Sequence, residues 1–225
     1  MLNEGLENRK LTRFRKEVGS WIIVQPCPPI YQQESRREEE MLTWYMENFA
    51  SWYRRSSQEN MGAVAELFTE LREILPGFDS LSMVESGEGA RMLKAVFRSV
   101  TGKNKVNRYN FGQLSEGQRG LIALYTLLTL IPNDTRSSIF IDEPDNYLNL
   151  REIEPWLKSL IDACGDSLEQ AIIISHHPKI IDYLGQGSGR WFSREAEGPV
   201  RVGTEPKSPV EGLSLSETVA RNWEQ

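Results

Sequence analysis

Cysteine is scarce. Cys27 and Cys164 are the only two, far apart, in no CxxC pair and at no metal-ligand spacing. That excludes a disulfide framework, and both read as small core residues of a reduced, cytoplasmic protein. Histidine is as sparse: His176 and His177 are adjacent, and neighbouring imidazoles do not easily share one tetrahedral zinc ion. Long apolar runs are missing. "LIALYTLLTLI" and "AIII" are too short to span a bilayer, and "MLNEGLENRKLTRFRK" has no apolar signal-peptide centre, so no membrane partner is expected. A positive balance is missing too, the net charge being −6, which argues against a free-standing nucleic-acid binder. The basic clusters "NRKLTRFRK", Arg36-Arg37, Arg54-Arg55 and "GKNKVNR" fit a solvated charged face better than a row of phosphate contacts. No internal repeat or low-complexity linker occurs, and 225 residues suffice for one domain, with or without a small appendage.

What is present changes character near residue 110. Before it, "WIIVQ" reads as a buried strand stopped by "PCPP". In "EEEMLTWYMENFASWYRR", Met41, Trp44, Tyr45, Phe49, Trp52 and Tyr53 recur at helical spacing, and Glu38 to Glu40 suit the positive end of a helix dipole. "MGAVAELFTELREILPGF" repeats the pattern and stops at Pro76-Gly77. "LSMVE", "SGEG" and "RMLKAVFRS" suggest a hairpin in which Gly87 and Gly89 supply positive φ. Residues 1–110 are thus expected to form a helical and β-meander subdomain.

From 111 the elements alternate: a polar turn, an apolar helix to about Leu130, a turn at "PND", the strand "SSIFI", an acidic turn, the helix "EIEPWLKSLIDAC" and the strand "AIIIS". That order predicts an α/β fold, a mainly parallel sheet flanked by helices, over 111–192. A terminal hairpin from "RWFSREAEGPVRVGTEP" and a short helix capped by Ser214 or Ser216 complete 193–225.

Three stretches carry possible chemistry. "IFIDEP" delivers Asp142 and Glu143 at the C-terminal end of a strand, the edge at which parallel sheets bind ligands. One carboxylate there can hold Mg²⁺ and the other can orient or deprotonate water; an acidic helix-capping loop is the plainer alternative. "IIISHHP" brings Ser175, His176 and His177 to a second strand end, where an imidazole can sense phosphate. In "FGQLSEGQRG", Ser115 is a plausible N-cap, and Gly117 costs about 1 kcal/mol of helix stability against alanine. Close approach of a phosphate to the helix mouth would explain it.

"LSEGQ", "IFIDEP" with "DNYLN", and "IIISHHP" stand in the order and spacing of the signature motif, the Walker B strand with its D-loop, and the switch-histidine loop of ABC-type ATPases. The chain most resembles AAA-family ATPases related to the recombination-repair, SMC and OLD-nuclease groups; "NFASWYR", "LREILPGF" and "LSLSETVARNWE" extend the likeness over most of its length. The resemblance implies a P-loop NTPase-like fold with ATP and Mg²⁺ as cofactors. Asp142 would serve the metal, Glu143 would be the general base, and His176 would contact the γ-phosphate. Ser115, Gly117 and Gln118, with the D-loop position Asn149, would meet nucleotide held by an opposite subunit.

Glu116 departs from the glycine common in the signature, and Asn149 from the D-loop aspartate. The sequence contains no GxxxxGK[ST] loop, and "TGKNK" lacks the earlier glycine and the hydroxyl residue after lysine. A Q-loop region also reads as missing. The expectation is therefore the C-terminal part of an ATPase whose activity needs a P-loop from another segment or chain, in a homodimer or with a P-loop-bearing partner. A nuclease partner or DNA enters by family analogy alone. A non-catalytic regulatory or dimerisation module is the alternative.

Overall fold

A computed structural model describes residues 4–99, 106–131, 137–194, 196–204 and 212–223. The turn expected at "PND" and the "TGKNK" stretch lie outside the described residues. Two compact units divide the chain, Met1–Ile174 and Ser175–Gln225. This division differs from the boundaries expected at 110 and 192.

The first unit opens with α1 (Glu4–Gly19) and β1 (Ile22–Val24), then β2 (Glu34–Ser35), α2 (Phe49–Glu59), α3 (Met61–Ile74), β3 (Phe78–Gly87), β4 (Ala90–Arg98) and β5 (Val106–Asn110). It continues through α4 (Glu116–Leu130), β6 (Ser137–Asp142), α5 (Leu150–Ala163) and β7 (Leu168–Ile174). Two sheets result. In one, β1, β6 and β7 run parallel in that order. In the other, β4 pairs antiparallel with β3 along one edge and with β2 and β5 along the other. The α/β architecture with a parallel sheet and helices matches the expectation. The strand at 22–24 does not stay with the meander, because β1 lies against β6, more than a hundred residues on.

Apolar burial explains the layout. Leu121, Ile122, Ala123, Leu124 and Leu127 of α4 are fully buried, as a helix apolar all round must be. Its polar Thr126 is satisfied by donating to the Ile122 carbonyl at 2.6 Å. On the parallel sheet, Val24, Ile139 and Ile141 alternate inward. A ring cluster joins Phe49 to Phe111 at 5.3 Å and to Tyr31 at 5.8 Å. Burial pushes the Tyr31 and Tyr53 hydroxyls well above the ordinary phenol range. Neither cysteine belongs to this core, as Cys27 is half-buried and Cys164 exposed.

Three local expectations change. The helix expected from the glutamates onward begins only at Phe49, and Met41, Trp44 and Tyr45 are exposed. The cause is buried Asn48. Its Oδ1 accepts from the Thr43 N–H at 3.0 Å and its Nδ2 donates to the Met41 carbonyl at 2.9 Å, satisfying a loop that a helix would otherwise satisfy. Glu38 and Glu40 do not sit at a helix N-terminus either; they pair with Arg54 and Arg55. Arg36 and Arg37 pair with Glu34 and Glu39, so these basic doublets are locally balanced. The β3–β4 hairpin forms as expected, with positive φ at Gly89 and not at Gly87.

The second unit contains α6 (Pro178–Ser188), β8 (Trp191–Ser193), β9 (Arg201–Gly203) and α7 (Leu215–Trp223). The hairpin pairs antiparallel. Ser214 caps α7, its Oγ accepting from the Glu217 N–H at 3.2 Å while Glu217 accepts from the Ser214 N–H at 2.9 Å. Ser216 instead ties α7 to α6, donating from its N–H and its hydroxyl to the Asp182 carboxylate, each at 2.9 Å.

Candidate functional site

Parallel pairing brings three strand ends to one edge of the sheet. Val24 is in register with Ile141, and Asp142 with Ile174, so Gln25, Asp142 and Glu143 emerge side by side. Asp142 and Glu143 are both half-buried. The Glu143 N–H donates to the Ile174 carbonyl at 2.8 Å, adding one rung beyond the strand. Glu143 itself has φ 50, in the left-handed region, a conformation that costs a side-chain-bearing residue about 1–2 kcal/mol. A strained backbone at the tip of a strand, beside a second carboxylate, is where function is commonly held.

The chain then turns through buried Pro144 and Asp145, and the Leu148 N–H donates to the Asp145 carbonyl at 3.0 Å. This loop runs against the mouth of α4. A Cβ on Gly117 would stand 3.0 Å from the Tyr147 carbonyl oxygen, and one on Gly120 would stand 3.2 Å from Pro28 Cγ and 3.7 Å from Leu148 Cδ2. A side chain at 117 would thus meet the backbone of the acidic loop, a second reason for glycine at this position. Tyr147 also reaches across to the exit of β1, its hydroxyl 3.7 Å from Cys27 Sγ. That contact, with burial, raises the Tyr147 pKa. Arg119, buried one turn into α4, donates to the Pro28 carbonyl at 2.6 Å and ties α4 to the stretch that follows β1.

Ser115 and Gln118 occupy each other. The Ser115 hydroxyl accepts from the Gln118 N–H at 3.2 Å, and the Gln118 side-chain carbonyl accepts from the Ser115 N–H at 3.1 Å. Asn149 does the same for α5: its Oδ1 accepts from the Arg151 and Glu152 N–H groups at 3.0 and 3.2 Å, and Glu152 accepts from the Asn149 N–H at 3.1 Å. The D-loop position is a helix cap here. Asp142, Glu143, Ser115, Gly117, Gln118 and Asn149 all fall around one loop of the first unit.

His176 and His177 belong to the second unit. His176 is exposed, whereas His177 caps α6, its Nδ1 accepting from the Lys179 N–H at 3.1 Å and its own N–H donating to Ser175 Oγ at 2.9 Å. Gln25 went unnoticed in the sequence because "WIIVQ" reads only as a strand. Its side-chain oxygen accepts from the Trp44 indole at 3.2 Å and its N–H donates to the Trp44 carbonyl at 2.7 Å, which fixes the amide at the sheet edge. Among the described residues no cluster of three His, Cys, Asp or Glu side chains stands ready for a metal, and no helix is long and apolar enough to cross a membrane.

No family model matches the chain, and no curated protein matches it. Among solved structures it is similar to one from work on ATP-driven dimerization and DNA-stimulated activation of SMC ATPases, at 16% identity and a TM-score of 0.47, covering 76% of this chain and 94% of that one. It is also similar to an Smc head domain with a coiled coil and joint from Pyrococcus yayanosii, at 16% identity and a TM-score of 0.46. There 80% of this chain matches 33% of the other.

Proposed function

We propose that the chain is the C-terminal part of an ATP-binding and ATP-hydrolysing ATPase of the ABC type, working in a composite site whose phosphate cradle comes from elsewhere. The observation that carries this reading is Glu143: a carboxylate in a left-handed backbone, tied to the neighbouring parallel strand by its N–H, next to Asp142. The acid pair fits Mg²⁺, since carboxylate oxygens are the ligands that this hard cation takes, whereas Gln25 Oε1 is already engaged by the Trp44 indole. When bound, the metal neutralises phosphate charge. Asp142 would hold it, and Glu143 would accept the proton of the attacking water. His176 senses the γ-phosphate, and Ser115, Gly117, Gln118 and Asn149 face nucleotide on an opposite subunit.

Incompleteness is supported by the sheet. Among the described residues β7 has a strand on one side alone, so its outer backbone N–H and C=O groups are open to a further strand. Without a P-loop backbone and lysine, the acid pair has no tightly held triphosphate to act on.

The second reading is a non-catalytic dimerisation module derived from such an ATPase. It is favoured by the capping roles of Ser115, Gln118 and Asn149, which account for those residues without nucleotide. Nucleotide binding and phosphate release, measured with and without a P-loop-bearing candidate partner, decide between them. The ATPase reading expects turnover only in the mixture and its loss in Glu143→Gln. Turnover by the chain alone that vanishes in Glu143→Gln refutes the need for a cradle, and no binding in any mixture leaves the module.

A further inference from the structure

Among the described residues two apolar surfaces are uncovered. The first is a face of the parallel sheet. Register places Ile23, Phe140 and Ile172 side by side, with Ile174 beside Asp142 one step on. Ile23, Ile172 and Ile174 are 44%, 43% and 57% exposed, whereas Val24, Ile139 and Ile141 on the other face are at most 1% exposed. Parallel sheets are ordinarily covered on both faces.

The second is α1. Every residue from 8 to 19 is exposed, and Leu11, Phe14 and Val18 form one stripe at i, i+3 and i+7. An isolated helix of this length is marginal in water, so its apolar stripe needs a partner.

We propose that α1 of one copy lies across the bare sheet face of a second copy, and reciprocally, forming a two-fold dimer by helix exchange. Charge favours the match. Over residues 8–19 the helix carries Arg9, Lys10, Arg13, Arg15 and Lys16 against Glu17, and among these cations only Arg13 has an ion pair, to Glu17 at 4.0 Å, among the described residues. The sheet face ends in Asp142, with Glu143 the next residue.

The junction favours a second copy over the helix's own sheet. Only Ser20 and Trp21 separate α1 from β1, and their N–H groups donate back to the Lys16 and Val18 carbonyls at 3.1 and 3.2 Å. The Trp21 ring already rests on Phe140, at 5.2 Å. Folding α1 back would break those turn bonds, whereas another copy's sheet can be reached with the chain as it stands. A self-complementary pair of joints closes with two-fold symmetry. If each joint buries roughly 300–400 Å² per side, two joints reach the ~1,200–1,600 Å² of a specific interface.

This dimer needs no nucleotide and stands independently of the ATPase reading. Its test is sedimentation equilibrium of the full chain without nucleotide. The unaltered chain should dimerise, and Phe14→Glu and Ile172→Glu should each raise the dissociation constant about tenfold or more, as loss of a central apolar contact does. Mixing the two variants should restore association, because one intact helix then meets one intact sheet. Circular dichroism checks folding; α1 is exposed, so Phe14→Glu cannot disturb a core, and Ile23→Thr substitutes on the sheet should Ile172→Glu misfold. A monomer at about 100 μM would overturn the proposal, since specific dimers of this size hold well below that concentration. So would sheet variants that dimerise like the unaltered chain, which is the result if the helices pair with each other, and so would failure of the mixed variants to associate.

Discussion

Replacing Gly117 by alanine separates two roles for a glycine in the first turn of α4. Helix propensity alone makes alanine better by up to about 1 kcal/mol. The new Cβ, however, would lie 3.0 Å from the Tyr147 carbonyl oxygen, a backbone atom that moves only with the acidic loop. Forcing a methyl group into such a contact costs about 1–3 kcal/mol, so the expected net change is a loss of about 0–2 kcal/mol. Gly62 is the internal control. It sits in the first turn of α3, and its nearest neighbour to an added Cβ is Asn60 Oδ1 at 3.9 Å, so Gly62→Ala should gain about 0.5–1 kcal/mol. The two variants should therefore differ by roughly 2 kcal/mol in urea unfolding, or several degrees in Tm. Equal gains at both sites would mean that Tyr147 does not restrict position 117. The coupling drawn between the α4 mouth and the Asp142–Glu143 loop would then fall with it.

Asn48→Ala removes the buried amide that satisfies the 41–48 loop, and a loss of about 2–3 kcal/mol is expected, with faster amide exchange at Thr43 as the local readout. The Asn48 amide and the Arg37 guanidinium hold Glu39 below its ordinary pKa, and Arg98 does the same for Asp79. Both folded pKa values are depressed, so this stabilisation is present above the unfolded value of about 4 and is lost as pH falls through the folded values. Unfolding midpoints taken across that window should decline on acidification, and less steeply in Asp79→Asn. Glu143→Gly should be about 1 kcal/mol more stable than Glu143→Ala, because both lack the side chain and only glycine adopts positive φ without penalty, and either should remove any hydrolysis seen with a cradle. Equal stability of the two variants would contradict backbone strain at Glu143.

Local patterns in this chain were readable where one periodicity met one cap. Ser115, Ser214 and the apolar run of α4 announced their helices, and "SSIFID" and "AIIIS" announced β6 and β7 with their acidic and polar tips. Met41, Trp44 and Tyr45 misled because aromatic spacing looks helical whether or not the backbone is; the deciding fact, a buried Asn48 side chain bonding to Thr43 and Met41, is tertiary. The close backbone neighbour of Gly117 was hidden for the same reason, lying thirty residues on at Tyr147. Gln25 was invisible as a site residue since only the long-range pairing of β1 with β6 brings it to Asp142. Which residues stand at the strand ends was thus legible, and company between segments was not.

The reciprocal bonds at the α4 and α5 entrances decide how either could ever greet an anion. Each mouth is prebuilt, so an incoming ligand has no coil to order and no folding entropy to overcome. A ligand that used the side chains would have to displace a bond already made: Ser115 cannot turn its hydroxyl away without loosening Gln118, nor Asn149 without Glu152. Anything that meets these mouths therefore finds the capping side chains engaged and only the remaining first-turn N–H groups to bond.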